Sequence, residues 1–179
     1  MVSRATTAFL LAGLAAAQCA TMEYLSPDAM IDQSTAIVRA VVLDSDGRQH
    51  GPMVYTHFKL KILEQLKGAA PLEIVVPGGT AGSLRQTFAG APALVKGSEY
   101  LLFLWTGSSG LTHVLGFAQG VYRVSVGAGG EMTAARPASA EVMLDPKTGM
   151  QMQDEPVQLR LADLRSRVAS RASAKGRAQ

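Results

Sequence analysis

Residues 55 to 66 carry the pattern that most restricts how this chain can fold. Apolar and polar side chains alternate along the run, with Phe58, Leu60 and Ile62 set against His57, Lys59 and Lys61. Successive side chains of a strand point to opposite faces of its sheet, so a period of two predicts a β-strand with one buried face. The other face, which carries His57, is expected to meet solvent.

Further apolar runs, separated by turn residues, predict the remaining strands. They lie at residues 36–43, 72–76, 100–105, 111–117 and 121–126, with a shorter segment around Val142. The cluster Asp44-Ser45-Asp46-Gly47 is interpreted as the turn that ends the first strand. Residues 78–97, rich in Gly, Ala, Thr and Ser, are interpreted as one long loop. Five or six short strands of this kind predict a mainly β fold, a small antiparallel barrel.

A helix is predicted on each side of the strands. Ser26 is a suitable N-cap and Pro27 suits the first helical position, which predicts a short helix that runs to about Ser34. A second helix is predicted to begin near Glu155-Pro156 and to fray beyond about Ser170. Its apolar stripe, which would dock it on the barrel, consists of Val157, Leu161, Leu164 and Val168.

Length and composition fit a single globular domain behind a leader. The chain has 179 residues, of which 47% are hydrophobic and 17% charged, enough apolar material for its own core. We divide it into a leader at residues 1–20, a barrel domain at 25–150, and a C-terminal helix with a basic tail at 154–179. The basic residues of the tail are Arg160, Arg165, Arg167, Arg171, Lys175 and Arg177. We interpret them as a solvent-facing helix face and expect no nucleic-acid partner, because no basic face with stacking aromatics is visible in the domain.

The N-terminal segment has the pattern of a secretory signal peptide. Arg4 supplies the positive end, and residues 8–17 form an apolar stretch too short to span a bilayer. Small residues precede the predicted cut, so we expect cleavage after Ala17, before Gln18, with cleavage after Ala20 as the alternative. No later segment is long and apolar enough for a transmembrane helix. The protein is therefore expected to be exported, either to a periplasm or out of the cell.

Cys19, the only cysteine, lies at this junction and has three interpretations. It is a bystander near the cut, or a lipidated first residue, or a free thiol that pairs with another chain. Gln18 and Ala16 stand where a lipidation signal prefers a small residue and a leucine, which disfavours the second interpretation. A single cysteine excludes a disulfide within the chain.

The sequence contains no recognisable catalytic, metal or cofactor motif. His50, His57 and His113 lack metal-ligand spacing, so we expect them to face solvent, although His57 and His113 could meet across the sheet. Residues 77–82 lack the lysine and the following helix of a phosphate-binding loop. The loop that starts at Asp44 carries Tyr55 where a calcium loop needs an acidic residue. We therefore expect no cofactor and no enzymatic activity.

The order of the segments resembles a family of uncharacterised exported bacterial proteins. The matching segments are STAIVRAVVLDSD, YTHFKLKILEQLKG, LEIVVPGG, GSEYLLFLW and GFAQGVYRV, which span roughly residues 25–126. That family carries a strand ending in Leu-Lys-Gly, a Pro-Gly-Gly loop and a strand of the form Gly-x-Glu-x-Leu-Leu-Phe-Leu. The resemblance implies export and a shared fold.

A more distant resemblance is to the netrin-type module of the tissue inhibitors of metalloproteinases. Ala36 to Val42, Leu66 to Gly68 and Tyr100 to Leu102 are similar to its first, second and fourth strands. The resemblance implies an OB-like barrel. Those inhibitors hold many disulfides and chelate the protease zinc with an N-terminal cysteine. Here the barrel has no cysteine, and Cys19 becomes the terminus only if processing follows Gln18.

These observations favour an exported, non-catalytic binding or interaction module whose ligand is unknown, a protein or a small molecule. The alternatives are a protease inhibitor of the netrin type and a hydrolase whose site the sequence does not reveal. Long loops and barrel rims carry binding in such folds, so we expect partner contacts at the 78–97 loop and at the turn near residue 120. The candidate contact residues are Gly78, Gly79, Leu84, Arg85, Gln119 and Gly120.

Overall fold

The computed structural model describes residues 21–176. The predicted leader, its cleavage site at Ala17 and Gln18, and Cys19 lie outside the described residues. Within the range, strands dominate and two α-helices flank them. In chain order the elements are β1 (Thr21–Glu23), α1 (Pro27–Gln33), β2 (Ala36–His50), β3 (Met53–Lys67), β4 (Glu73–Pro77), β5 (Gly79–Ala81), β6 (Leu84–Gln86), β7 (Glu99–Thr106), β8 (Thr112–Val114), a 3-10 helix (Phe117–Gly120), β9 (Val121–Val126), β10 (Met132–Arg136), β11 (Val142–Leu144), β12 (Gln151–Met152), β13 (Val157–Arg160) and α2 (Leu161–Gly176). The expectation of a mainly β fold with two helices is confirmed.

Eight strands form the main sheet, in the order β13-β10-β9-β7-β2-β3-β4-β8. Strand β8 is paired on both sides. It runs parallel to β4 at Val75 and His113, and antiparallel to β7 from Leu104 to Thr106. Two smaller sheets, β1-β11-β12 and β5-β6, lie beside it. The prediction of a purely antiparallel arrangement was wrong at two pairs, β4–β8 and β1–β11, which are parallel.

The centre of the main sheet is buried on both faces. Leu102 and Leu104 of β7 pack in a first core cluster with residues of β2, β3 and β4. Leu101 and Phe103, which point the other way, pack in a second core cluster with residues of both helices. This two-sided burial explains why residues 100–105 are a continuous apolar run, whereas β3, with one wet face over much of its length, alternates.

Helix α1 forms as its sequence predicts. The Ser26 hydroxyl oxygen accepts a hydrogen bond of 3.2 Å from the Ala29 backbone N–H, and Pro27 occupies the first turn. At the other end, the Lys67 ammonium donates to the Ile31 and Asp32 carbonyl oxygens, which would otherwise lack partners at a helix C-terminus. The helix buries Met30 in the second core cluster.

Helix α2 begins at Leu161, so its predicted start near Glu155-Pro156 was wrong. Residues 157–160 form β13 instead and pair with β10. Their apolar side chains, Val157 and Leu159, recur every second residue, which is the period of a strand and not of a helix. Leu161, Leu164 and Val168 are buried as the stripe predicted. The helix also continues to Gly176, past the predicted fraying near Ser170.

Strand β2 does not end at Asp44-Ser45-Asp46-Gly47, where the sequence predicted a turn. Those residues pair with β3, and the chain turns only at Gly51-Pro52. Gly47 serves a close contact: a Cβ built there would lie 1.9 Å from the Thr80 carbonyl oxygen of β5. The glycine that looked like a turn signal is thus a packing requirement.

The structure corrects the predictions for two other segments, residues 78–97 and 111–117. Residues 78–97 are not one loop, because β5 and β6 form a hairpin within them, with Thr80 opposite Arg85. The strand predicted at 111–117 is only Thr112–Val114, followed by the 3-10 helix. None of the helices in the described range combines the length and apolar composition needed to cross a membrane.

Candidate ligand-binding face

Five aromatic rings form a continuous row on one side of the main sheet. From one end to the other they belong to Trp105, His113, Tyr55, His50 and His57. Successive ring centroids are 6.2, 5.8, 5.8 and 5.2 Å apart. The row contains all three histidines and the only tryptophan of the chain. We call it the ring face.

Strand pairing brings these rings together from distant parts of the sequence. His57 of β3 lies opposite Val75 of β4, which lies opposite His113 of β8, which lies opposite Trp105 of β7. Residues directly opposite one another point to the same side of a sheet, so these side chains share one face. The β2–β3 turn then places His50 next to them.

An apolar cleft of about 400 Å³ opens beside the ring face. Its lining residues are Met53, Tyr55, Val75, Val76, Pro77, Phe88, Pro92, Trp105, His113, Val114, Leu115, Gly116 and Phe117. Trp105 is 46% exposed and Phe117 is 37% exposed, so two large aromatic side chains meet solvent there. A pocket of this size with mostly apolar walls and a few polar groups is typical of small-ligand sites.

Phe117 is held in an unusual backbone conformation at the mouth of the cleft. Its φ of 55° is the only positive φ of a non-glycine residue in the described part of the chain, and it follows Gly116, whose φ is 65°. Bulky residues rarely adopt the left-handed region, and such strain is found preferentially at functional sites.

Burial lowers the pKa of the neighbouring His113 from its ordinary 6.5, so the ring in the cleft is neutral at neutral pH.

The other end of the ring face is polar. His57 is only 2% exposed, and its Nδ1 lies 2.8 Å from Glu73 Oε1 while its Nε2 lies 3.1 Å from His50 Nε2. The hydrogen bond from His57 and the charge of Arg48 hold the pKa of Glu73 below its ordinary value. Arg48 also pairs with Asp46, so two carboxylates, one guanidinium and two imidazoles form one network.

The predicted contact residues form two groups, and none of them is among the residues that line the cleft. Leu84 and Arg85 are exposed on β6, as a contact role requires. Gly78 is buried and Gly79 half-buried, with φ of 98° and 120°. A Cβ on Gly79 would lie 2.2 Å from the Thr56 hydroxyl oxygen, so the glycine admits close packing of β5 on β3.

Gln119 and Gly120, the second predicted contact group, are buried in this fold, and the partner contact expected at this turn stays a prediction. The Gln119 side-chain carbonyl accepts a hydrogen bond of 2.9 Å from the Leu25 N–H, and its amide donates one of 2.9 Å to the Glu23 carbonyl. A Cβ on Gly120 would lie 2.2 Å from the Leu115 carbonyl oxygen. These two hydrogen bonds of Gln119 link the segment before α1 to the 3-10 helix.

The histidines also depart from expectation. His57 was predicted to face solvent but is buried, because His50, Arg48 and Glu73 cover it. His57 and His113 lie in one row on either side of Val75. The hydrolase alternative needs a pocket lined by His57 or His113 beside a carboxylate. His57 lies beside Glu73 but does not line the cleft, and its Nε2 faces His50 and not a hydroxyl nucleophile.

In the segment from residue 21 to 176, no group of three or more His, Cys, Asp or Glu residues is placed to hold a metal ion. The inhibitor alternative depends on Cys19, outside the described residues, and stays a prediction. No protein-family model matches this chain, and no curated protein matches it at a significant level. The ring face and its cleft are therefore the observations that bear most directly on function.

Proposed function

We propose that this chain is an exported, non-catalytic binding module built on an OB-like barrel, and that it binds a flat apolar group of its ligand in the cleft beside the ring face. The strand pairs support the barrel. From β2 they run through β3, β4, β8 and β7 and return to β2. A five-stranded Greek-key barrel has this succession of neighbours.

The position of the ring face supports the proposed binding site. OB barrels bind ligands on the face of their second and third strands, between the loops that follow the first and fourth strands. In this chain those strands are β3 and β4, and the loops are the Gly51-Pro52 turn and residues 107–111. Tyr55 lies on β3, with His50 beside the first loop and Trp105 beside the second.

The single observation that carries the proposal is the apolar cleft into which Trp105, Tyr55 and Phe117 project. Aromatic side chains exposed at a concave apolar site stack well on flat apolar groups of a ligand. The neutral state of His113 favours the same chemistry, since it adds no charge to the cleft. We therefore propose a ligand class that presents an aromatic or other flat apolar moiety.

Trp105 provides the experiment, because it is the only tryptophan and lines the cleft. We expect the dye anilinonaphthalene sulfonate to quench Trp105 emission saturably, with one site per chain. Tyr55→Ala and Phe117→Ala should each weaken dye binding about tenfold, the effect of about 1.4 kcal/mol from one lost aromatic contact.

Leu72→Ala is the matched control, since Leu72 is 75% exposed and lies outside the cleft. It should bind the dye as the unmodified chain does, and far-ultraviolet circular dichroism should show that all variants are folded. Equal dye affinities for Phe117→Ala and Leu72→Ala would contradict the proposed site.

A further inference from the structure

We propose that His50 and His57 together bind one divalent late first-row transition-metal ion, such as Zn²⁺, Ni²⁺ or Cu²⁺, through their Nε2 atoms, with Glu73 as a positioning residue. The site lies at the polar end of the ring face, apart from the residues that line the cleft. It does not depend on the ligand proposed above.

The contacts of His57 settle which of its nitrogens is free. His57 Nδ1 has two polar neighbours, Glu73 Oε1 at 2.8 Å and Arg48 Nη1 at 3.2 Å. A carboxylate only accepts hydrogen bonds and a guanidinium only donates them, so Nδ1 can bond to just one of the two. The shorter contact is the hydrogen bond, and Arg48 Nη1 donates to Glu73 Oε1 instead, so His57 Nδ1 carries the proton. In the neutral ring Nε2 then holds the lone pair. A histidine that donates its other N–H to a carboxylate is the usual arrangement of a metal-ligating imidazole, because the carboxylate fixes the ring and raises its basicity.

The spacing of the two Nε2 atoms fits a shared ion. They are 3.1 Å apart. Two nitrogen ligands on a tetrahedral Zn²⁺ ion, each about 2.0 to 2.1 Å from it, are about 3.3 Å from one another. In the structure the two rings are tilted by only 22° and share one proton in an N–H···N hydrogen bond. His57 is buried and fixed, whereas His50 is exposed. When the proton of His50 moves from its Nε2 to its Nδ1, rotation of the His50 ring directs the two Nε2 lone pairs at one point.

Two carboxylates and one guanidinium surround the histidine pair, a net negative charge that favours a cation, and the imidazole ligands define the class of that cation. Asp46 lies opposite His57 in the β2–β3 register, and Glu73 contacts it directly. Arg48 holds both carboxylates through hydrogen bonds, so they act as outer groups and the two imidazoles are the protein ligands. Imidazole suits Zn²⁺, Ni²⁺ and Cu²⁺, whereas Ca²⁺ and Mg²⁺ require oxygen ligands. Water completes the coordination, in keeping with the lack of a third protein ligand among the described residues.

Isothermal titration calorimetry with Zn²⁺ tests the proposal. The protein should carry Cys19→Ser, because its single thiol is itself a zinc ligand, and no histidine tag. We expect one ion per chain. His50→Ala, a change at an exposed residue that should not prevent folding, should weaken binding at least about tenfold, and Glu73→Gln should weaken it about 10- to 100-fold.

His113→Ala is the matched control, since it removes the third histidine and leaves the pair intact; its zinc affinity should equal that of the unmodified protein. Unchanged zinc affinity in His50→Ala, an equal loss in His113→Ala, or no zinc binding at all would each overturn the proposal, whatever the outcome of the dye titration.

Discussion

Arg136 and Asp154 form the ion pair with the least exposed side chains in the part of the chain that the structure describes, at 4% and 1%. The guanidinium donates to both carboxylate oxygens, at 2.6 and 2.9 Å, and the Ser139 N–H donates to Asp154 at 2.7 Å. The pair joins the end of β10 to the segment that precedes β13. Removal of one partner leaves an uncompensated buried charge, which is strongly destabilising.

We expect Asp154→Asn to lower the free energy of unfolding by about 3–5 kcal/mol near neutral pH. Burial opposes ionisation of Asp154, but the hydrogen bonds from Arg136 and Ser139 outweigh it and hold its pKa below the ordinary 3.8. The ionised Asp154 carboxylate therefore stabilises the folded state above pH 3.8, and this stabilisation is lost as the pH falls through the lowered pKa of Asp154 in the folded protein. Urea unfolding should therefore show the two proteins converging in stability below pH 3.8. Asp163→Asn is the control, because Asp163 belongs to an exposed ion pair; it should lower the free energy of unfolding by less than about 1 kcal/mol at any pH. A difference in unfolding free energy between Asp154→Asn and the unmodified protein that stays constant with pH would contradict this account.

The sequence pattern predicts which face of a strand His57 lies on, but not which side chains surround it. The alternation of β3 assigns His57 correctly to the face opposite Phe58, but it does not reveal that His50, Arg48 and Glu73 cover that position. Those neighbours arrive through the register of β2 and β4 with β3. The ring face could not be found from spacing for the same reason, since its members are adjacent only across strands.

Helix α2 is docked on the molecule by an apolar stripe and by ion pairs at its surface. Leu161, Leu164 and Val168 are buried in the second core cluster. Arg165 pairs with Glu64, Arg167 with Asp28, and Arg171 with Asp28 and Asp32. The basic residues expected to face only solvent are thus partly matched by acidic residues of α1 and β3.

The two kinds of contact should contribute unequally. Leu164→Ala removes a fully buried side chain and should cost about 2–5 kcal/mol of unfolding free energy. Arg165→Ala removes an exposed pair and should cost less than about 1 kcal/mol, an effect that salt further reduces. Chemical denaturation of both variants at low and high salt is the measurement. If the arginine variant were as unstable as the leucine variant, electrostatics and not apolar burial would hold α2.

At the scale of elements, the sequence predicts where strands and helices exist better than where they end. Residues 121–126 and the start of α1 match the structure because local signals decide them. The end of β2 and the start of α2 do not match. Contacts with residues distant in sequence decide those ends. Gly47 of β2 lies in close contact with Thr80 of β5. Residues 157–160 pair with β10 as a strand, so the helix begins only after them.

Across the whole molecule, the two core clusters share the same strands. Alternate residues of β2 and β7 point into the first core cluster and into the second, as Val38 and Ile37 do. Neither cluster can come apart without disturbing the strands that line the other. The composition of the chain predicts a single core-forming domain, but this shared sheet follows from strand order, which the sequence pattern does not specify.

The shared strands predict that the described fold unfolds as one unit. Circular dichroism reports the strands and helices together, whereas Trp105 emission reports only the end of β7 at the cleft. If the clusters are coupled, urea should give coincident two-state transitions by both probes. Leu164→Ala, which weakens the second core cluster, should move both transitions to lower urea by the same amount, although Trp105 is not a member of that cluster. Separate midpoints for the two probes, or a shift in dichroism without one in fluorescence, would mean that the helices and the strand end at the cleft unfold independently.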